Sequence, residues 1–261
     1  MTKEEKTKFK AINLFFKHRE HLKQKEINHY KGEGVICPIC ESAFRSFAPY
    51  YGHYLQKNAR CPKCESLERH RLLWEYLHNK TELFNKSKKK LLHFAPEKFF
   101  FEFFSNQKML EYTPCDISPE KYEEHYGGKL VKADITNLPF PDSEFDVIIC
   151  YHILEHIPND QLAIAELYRV MKVGGWGIIQ VPIDYNREST YEDFNITSEE
   201  EREKAFGQKD HVRWYGKDFI VRLSLAGFTV IEDKFVNTFS TEEIAKFGFD
   251  PNEIIYYCEK Q

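Results

Sequence analysis

Two pairs of cysteines carry the chain's most specific chemical spacing. Cys37-Pro-Ile-Cys40 and Cys61-Pro-Lys-Cys64 are C-x2-C motifs separated by 20 residues. Each pair can close into a tight knuckle, and two knuckles supply four thiolates to one tetrahedral Zn2+ ion. Four thiolates leave no position for a catalytic water, so the expected ion is structural and stabilises a module too small to hold itself together. A redox dithiol or an iron–sulfur cluster is the alternative. The redox motif usually wants a single pair beside a strand–helix pattern, whereas these two pairs lie in a loop-rich stretch. His53 falls between the knuckles, where no ligand position is left for it. Cys115, Cys150 and Cys258 sit at strand ends or in apolar runs and read as small buried hydrophobes.

A second group of polar residues stands where apolar runs end. LLHFA (91–95) turns at Pro96-Glu97, and LEYTPCD (110–116) ends on Asp116. That acid comes about 20 residues after the first turn, the spacing at which a carboxylate can accept hydrogen bonds from a ribose. Asp134, in KADITNLPF, could accept from the exocyclic amine of an adenine. Each acid alone also reads as a turn or cap residue; together they point to an adenosine cofactor. No G-x-G-x-x-G follows any candidate strand, which disfavours an NAD-dependent dehydrogenase.

Elements of two kinds must position these groups. Residues 1–30 place Phe9, Ile12, Leu14, Phe15, Phe16 and Leu22 among Lys and Glu, an amphipathic helical segment whose expected job is packing. Residues 31–90 comprise the cysteine module, a helix LERHRLLWEYLHN opened by Ser66 and Glu68, and the basic run NKSKKK (85–90), expected to be a solvated linker and domain boundary. From 91 to 261, short apolar runs alternate with helical stretches such as DQLAIAELYRVMK, which implies right-handed crossovers and a mostly parallel sheet. The glycines at 174 and 175 and at 227 read as helix-to-strand stops, and IIYYCEK (254–260) as a final strand. In a doubly wound sheet, ligands bind outside the carboxyl ends of the strands, where the acids above are found.

The stretch VKADITNLPFPDSEFDVIICYHILEHIPNDQLAIAELYRVMKVGGWGIIQVP (131–182) resembles the class I S-adenosylmethionine-dependent methyltransferases, type 11 in particular. CPIC and CPKCESLERHRLLWEYL ahead of LLHFAPE look like a bacterial subgroup with an N-terminal zinc module. The resemblance covers 91–261 and implies a Rossmann-like, doubly wound seven-stranded α/β sheet behind a small zinc-ribbon-like module, with S-adenosylmethionine as methyl donor. It makes Phe94, Ala95, Pro96 and Glu97 the methionine-side pocket. Asp116 becomes the ribose ligand, with Ile117 beside it as a further cofactor-binding residue; Asp134 and Ile135 flank the adenine, and Cys150, Tyr151 and His152 lie near the reactive methyl. The chain departs from the family at the first turn, where an acid and a G-x-G loop are usual and His93 to Glu97 stand instead. Glycines let backbone approach a ligand closely, and Ala95-Pro96 does so less freely.

In that fold the insertion Ile183–Gly216 overhangs the methyl group. It carries Tyr185, Arg187, Tyr191, Asp193, His211, Arg213 and Tyr215, a set suited to orienting a polar substrate. Methyl transfer needs an aligned acceptor and, for some acceptors, removal of a proton, so no catalytic triad is required. His152 and His211 are the candidate proton acceptors because imidazole titrates near neutral pH. SEEEREK (198–204) reads as a solvated helical face.

Net charge is -4 over 261 residues, but it is unevenly spread. Up to Lys90 there are 20 Lys+Arg against 10 Asp+Glu, and beyond it 17 against 31, giving +10 and -14. A zinc–tetrathiolate centre removes about two positive charges from the first part, which stays basic. That part meets either a polyanion or the acidic remainder of the chain. The leading expectation is a methyltransferase acting on a polar small molecule or a glycan-type acceptor. The alternatives are an RNA methyltransferase docked through the basic module, and a non-catalytic protein that keeps the fold for binding or regulation. In the RNA reading, Phe44, Phe47, Tyr50, Tyr51 and Tyr54 stack on bases beside Arg45, Lys57 and Arg60; as core residues, the same rings hold the module together. No apolar run approaches the ~18 residues of a membrane span. The charged start MTKEEKTKFK lacks a signal core, so the expected location is cytoplasmic.

Overall fold

The computed structural model describes residues 18–51 and 55–261. Phe9, Ile12, Leu14, Phe15, Phe16, His53 and Tyr54 lie outside the described residues. The first elements are α1 (18–29), β1 (Lys31–Cys37), β2 (Ser42–Phe44), β3 (Ala48–Tyr51), β4 (Leu55–Arg60) and α2 (Glu68–Asn79). Next come β5 (Lys89–Phe94), α3 (Lys98–Ser105), β6 (Leu110–Asp116), α4 (Glu123–Tyr126), β7 (Val131–Lys132), β8 (Phe145–Tyr151), α5 (Asp160–Val170) and β9 (Met171–Gln180). The chain ends with β10 (Tyr191–Glu192), α6 (Glu199–Phe206), β11 (Arg213–Trp214), α7 (Phe219–Leu225), β12 (Thr229–Asp233), α8 (Thr241–Phe247) and β13 (Ile255–Glu259). Among the described residues, no helix is long and apolar enough to cross a membrane.

These elements form two compact units. One takes in the described residues up to Tyr76 together with Val236–Glu253; the other comprises Leu77–Phe235 and Ile254–Gln261. The division falls within α2, not in the run 85–90. Lys89 and Lys90 already belong to β5, where Lys90 N donates to Asp146 Oδ2 at 2.7 Å.

In the first unit, β1 pairs antiparallel with β2 and β3 with β4. Phe44 and Phe47 are buried with Val35, Cys37 and Cys61, so these rings are core and not a stacking surface, while Tyr51 is exposed. Leu22 of α1 is 51% exposed, contrary to its expected packing role, and Ile27 is the apolar α1 residue that packs on this core. The buried guanidinium of Arg71 joins three segments: it donates to Ala59 O and Ser66 O at 2.9 Å, and to Phe247 O and Gly248 O at 2.7 Å. It also lies 3.9 Å above the Phe47 ring. Four fixed carbonyls around one planar cation suit the fork geometry of arginine and not lysine.

The second unit holds a seven-stranded sheet in the order β12-β13-β9-β8-β5-β6-β7. All pairings are parallel except those of β13, which runs antiparallel to β9 and β12. From β5 the chain builds β6 and β7 on one side and β8 and β9 on the other, so the carboxyl ends of β5 and β8 meet at a topological switch point. Alternate residues serve opposite faces. Leu92, Ile148, Cys150 and Ile179 pack with Ile164 and Leu167 of α5 and Phe219 and Leu223 of α7, and Cys115 and Cys258 join this core. On the other face, His93 packs edge-on against Phe100 and Phe104 of α3.

The glycine pair at 174 and 175 does not stop a helix. α5 ends at Val170, Met171 begins β9, and Gly174, with φ +76°, lies inside the strand. Gly227 does follow α7, with φ +109° and room only for hydrogen, because a Cβ there would meet the Tyr168 ring at 2.7 Å.

Candidate functional site

The four cysteine sulfurs of the first unit converge. All lie within 4.8 Å of one another, with Cys37 Sγ 3.6 Å from Cys64 Sγ and Cys40 Sγ 3.7 Å from Cys61 Sγ. A tetrahedron with metal–sulfur bonds of about 2.3 Å has edges of about 3.8 Å, so the donor set fits a single thiolate-bound ion, and these separations are far too long for disulfides. The two knuckles share one local geometry: Glu41 and Glu65, each directly after the second cysteine of its pair, take φ +54° and +66°. The Ser66 hydroxyl lies 3.3 Å from Cys37 Sγ and 3.2 Å from Cys64 Sγ, a sulfur partner that the spacing alone did not single out.

In the second unit, the expected cofactor residues gather at the carboxyl ends of β5, β6, β7 and β8. Ala95 follows β5 with φ +42°, the left-handed region where glycine is most at ease. The turn is pinned by Ala95 N donating to Cys115 O at 2.8 Å and by the Tyr126 hydroxyl donating to Pro96 O at 2.7 Å. Burial pushes the Tyr126 phenol up to about 12, so it remains a donor across the neutral range. The Phe94 side chain is in the core and Ala95 is exposed, so the turn offers backbone to a ligand, with Glu97 half-buried ahead of α3.

Asp116 and Asp134 flank one edge, joined by Ala133 N donating to Asp116 O at 3.0 Å. Each uses Oδ1 to close its own turn, Asp116 on Ser118 N at 2.7 Å and Asp134 on Thr136 N at 2.9 Å and Thr136 Oγ1 at 2.7 Å. These turn bonds leave the Oδ2 atoms available to a ligand. Ile117, next to Asp116, is 57% exposed and offers an apolar surface, whereas Ile135 is buried in the core.

At the end of β8, Cys150 and Tyr151 are buried, and burial pushes the Cys150 thiol well above its ordinary value, so it is a core group and not an open one. His152 takes φ +56° and is partly exposed. Its Nδ1 lies 3.2 Å from Oε1 of Glu155, which is itself 1% exposed. Burial alone would raise the Glu155 carboxyl; the hydrogen bond and charge of His152, with the charge of His156, outweigh it and hold the group below its ordinary value. Glu155 carried no expected role, although its i+3 spacing from His152 marks the pair.

The insertion 183–216 divides into an open part and a buried latch. Tyr185 and Tyr191 are exposed, and Arg187 lies beside the Tyr191 ring and pairs with Asp184 at 3.1 Å. Asp193 closes a local turn on Asn195. Arg213 and Tyr215, expected to face substrate, are 1% and 0% exposed. Arg213 donates to Leu154 O at 2.9 Å, Pro158 O at 2.8 Å and Ile157 O, and pairs with Glu192 at 2.9 Å. The Tyr215 hydroxyl donates to Asp160 Oδ2 at 2.8 Å, and Arg222 bridges Asp160 and Glu192 at 3.0 and 3.1 Å. Burial opposes the charge of Glu192, but Arg213 and then Arg222 hold its carboxyl below the ordinary range. His211 is also buried, edge-on to His156 at 4.7 Å, a poor place from which to take a substrate proton.

Residues 97–179 match a family model described as a methyltransferase domain. The stretch runs from the end of the first turn through β9 and contains Asp116, Asp134 and the β8 end. The chain is 39% identical over 64 residues to a sterol 4-C-methyltransferase of Caenorhabditis elegans, covering 23% of this chain and 19% of that protein. It is 36% identical over 62 residues to the demethylmenaquinone methyltransferase of Staphylococcus carnosus, covering 24% and 26%. Matches to these relatives thus span about a fifth to a quarter of their length. Among solved structures, an S-adenosylmethionine-dependent methyltransferase from Mesorhizobium loti superposes with a TM-score of 0.51 at 11% identity, covering 72% of this chain and 98% of that one. A chain from the complex containing the Haloferax volcanii Trm112 methyltransferase activator gives 0.51 at 16% identity, with coverage of 74% and 90%. The strand order, the single antiparallel strand β13 and these superpositions establish the Rossmann-like methyltransferase fold.

Proposed function

We propose that the chain is an S-adenosylmethionine-dependent methyltransferase for a polar small-molecule or glycan-type acceptor, with a structural Zn2+ on Cys37, Cys40, Cys61 and Cys64. The carrying observation is the convergence, at one switch point, of an exposed turn after β5, two carboxylates with available Oδ2 atoms, and a histidine–carboxylate pair after β8. The bound cofactor supplies an electrophilic methyl group. Asp116 holds the ribose, Ile117 covers the adenine and Asp134 accepts from its amine, while backbone at Ala95 and the Glu97 carboxylate meet the methionine end.

His152 takes the proton released by the acceptor as its oxygen or nitrogen is methylated. Glu155 fixes the imidazole through Nδ1 and stabilises its protonated form, the role of a carboxylate behind a catalytic histidine. The insertion 183–216 acts as a lid, and its exposed groups Tyr185, Arg187 and Tyr191 orient the acceptor. The test is transfer of labelled methyl from S-adenosylmethionine to a panel of polar acceptors by wild type and His152→Ala. The expected result is a fall in kcat of about 100- to 10,000-fold with cofactor affinity retained. A parallel loss of both would leave His152 a pocket-shaping residue and remove its role as base.

A further inference from the structure

A second set of metal-ligating groups belongs to the other unit: Glu155, His156 and His211 each bring one donor atom within 4.8 Å of the others. Stacking accounts for the two imidazoles, which meet edge-to-face at 84° as aromatic rings commonly do. It does not account for the carboxylate. Glu155 is 1% exposed, its Oε1 faces His152, and its Oε2 is buried with no hydrogen-bond partner among the described residues. A buried carboxylate oxygen left without a donor is costly, and a cation would satisfy it.

Backbone holds the three donors in place. Val212 N donates to Glu155 O at 2.9 Å, which fastens the stretch carrying His211 to the segment carrying Glu155 and His156. His156 Nδ1 lies 3.3 Å from Asp210 Oδ2, the carboxylate–imidazole arrangement that orients metal-bound histidines. Bonds of about 2.1 Å around a tetrahedral ion separate donors by about 3.4 Å, so the widest pair closes by no more than ~1.4 Å on binding.

We infer that Glu155, His156 and His211 form a binding site for a divalent first-row transition-metal ion of the zinc type, distinct from the cysteine site. Two imidazoles and one carboxylate are a borderline donor set that suits such an ion and leaves at least one coordination position open. The ion joins the lid to the segment after β8 through side chains as well as backbone. The site is read from its donor atoms alone and stands whether or not the cofactor is S-adenosylmethionine.

Cobalt separates the two sites because thiolate ligation gives intense charge-transfer absorption in the near ultraviolet and a nitrogen–oxygen site does not. Metal-free protein titrated with Co2+ is expected to take up two ions per chain, one with thiolate charge transfer and one showing only weaker visible bands. His156→Ala, at a partly exposed position that tolerates truncation, and Glu155→Gln are expected to weaken the second ion more than about 100-fold. The thiolate signal and the circular dichroism are expected to stay unchanged. Uptake of the thiolate-bound ion alone by wild type overturns the inference. So does a second ion that both variants bind as tightly as wild type, since it then lies elsewhere.

Discussion

Ala95 and His152 are non-glycine residues in the left-handed region, and they follow the two strands that border the switch point. Such a conformation costs about 1–2 kcal/mol per residue, and strain of this kind clusters at functional sites. Ala95→Gly relieves that cost and gives back about 0.4–1 kcal/mol through a freer unfolded chain. A net gain of up to about 1 kcal/mol in urea denaturation is therefore expected, with cofactor affinity unchanged or higher. A clear net loss would show that Ala95 is not strained. The sequence showed a departure from glycine at this turn, but not that alanine adopts the glycine-like backbone there. At the β8 end, Glu155→Gln removes the charge that favours imidazolium, so the acidic limb of the pH–rate profile should move to lower pH. A profile that keeps its position would remove the role of Glu155 behind His152.

At the scale of elements, the run LEYTPCD coincides with β6, and IIYYCEK contains β13, because alternating apolar runs bounded by turns leave little choice of register. The end of α5 was less legible. Glycine signals a positive φ without saying whether it caps a helix or bends a strand, and Gly174 does the second. The lid was legible as polar but not as two parts, since Arg, Tyr and Asp look alike in sequence whether they await a substrate or close a buried network. Arg213→Met leaves Glu192 with Arg222 as its remaining arginine and strands three buried carbonyls, which is expected to cost about 3–5 kcal/mol, read as a lowered midpoint of thermal unfolding. Glu192 is depressed in the folded state, so the unfolded chain binds its proton first and stability falls as pH drops from the ordinary carboxylate value through the folded one. Wild type should lose stability over that acidic window, and Glu192→Gln should lose less. An identical acid dependence in the two would remove the network's part in it.

Over the whole molecule, the cysteine spacing pointed to the four sulfurs that converge in the first unit and the alternation of runs to an α/β sheet, but the discontinuity of the first unit had no sequence signal. Val236–Glu253 returns to the cysteine-bearing unit after most of the sheet has been built, and Arg71 secures that return through Phe247 and Gly248. A basic residue in an amphipathic helix announces no such role. Cys61→Ser, which removes one ligand of the tetrathiolate set, should release the ion and the cooperative unfolding of this unit with it, followed by metal analysis and circular dichroism. Methyl transfer by this chain depends on the proposed cofactor site. Its most direct test is calorimetric binding of S-adenosylmethionine and S-adenosylhomocysteine to zinc-loaded protein, with Asp116→Ala as comparator. Micromolar binding by wild type, abolished in the folded variant, is the expected result. Folded wild type that binds neither compound would contradict the methyltransferase reading and leave the fold as a binding platform.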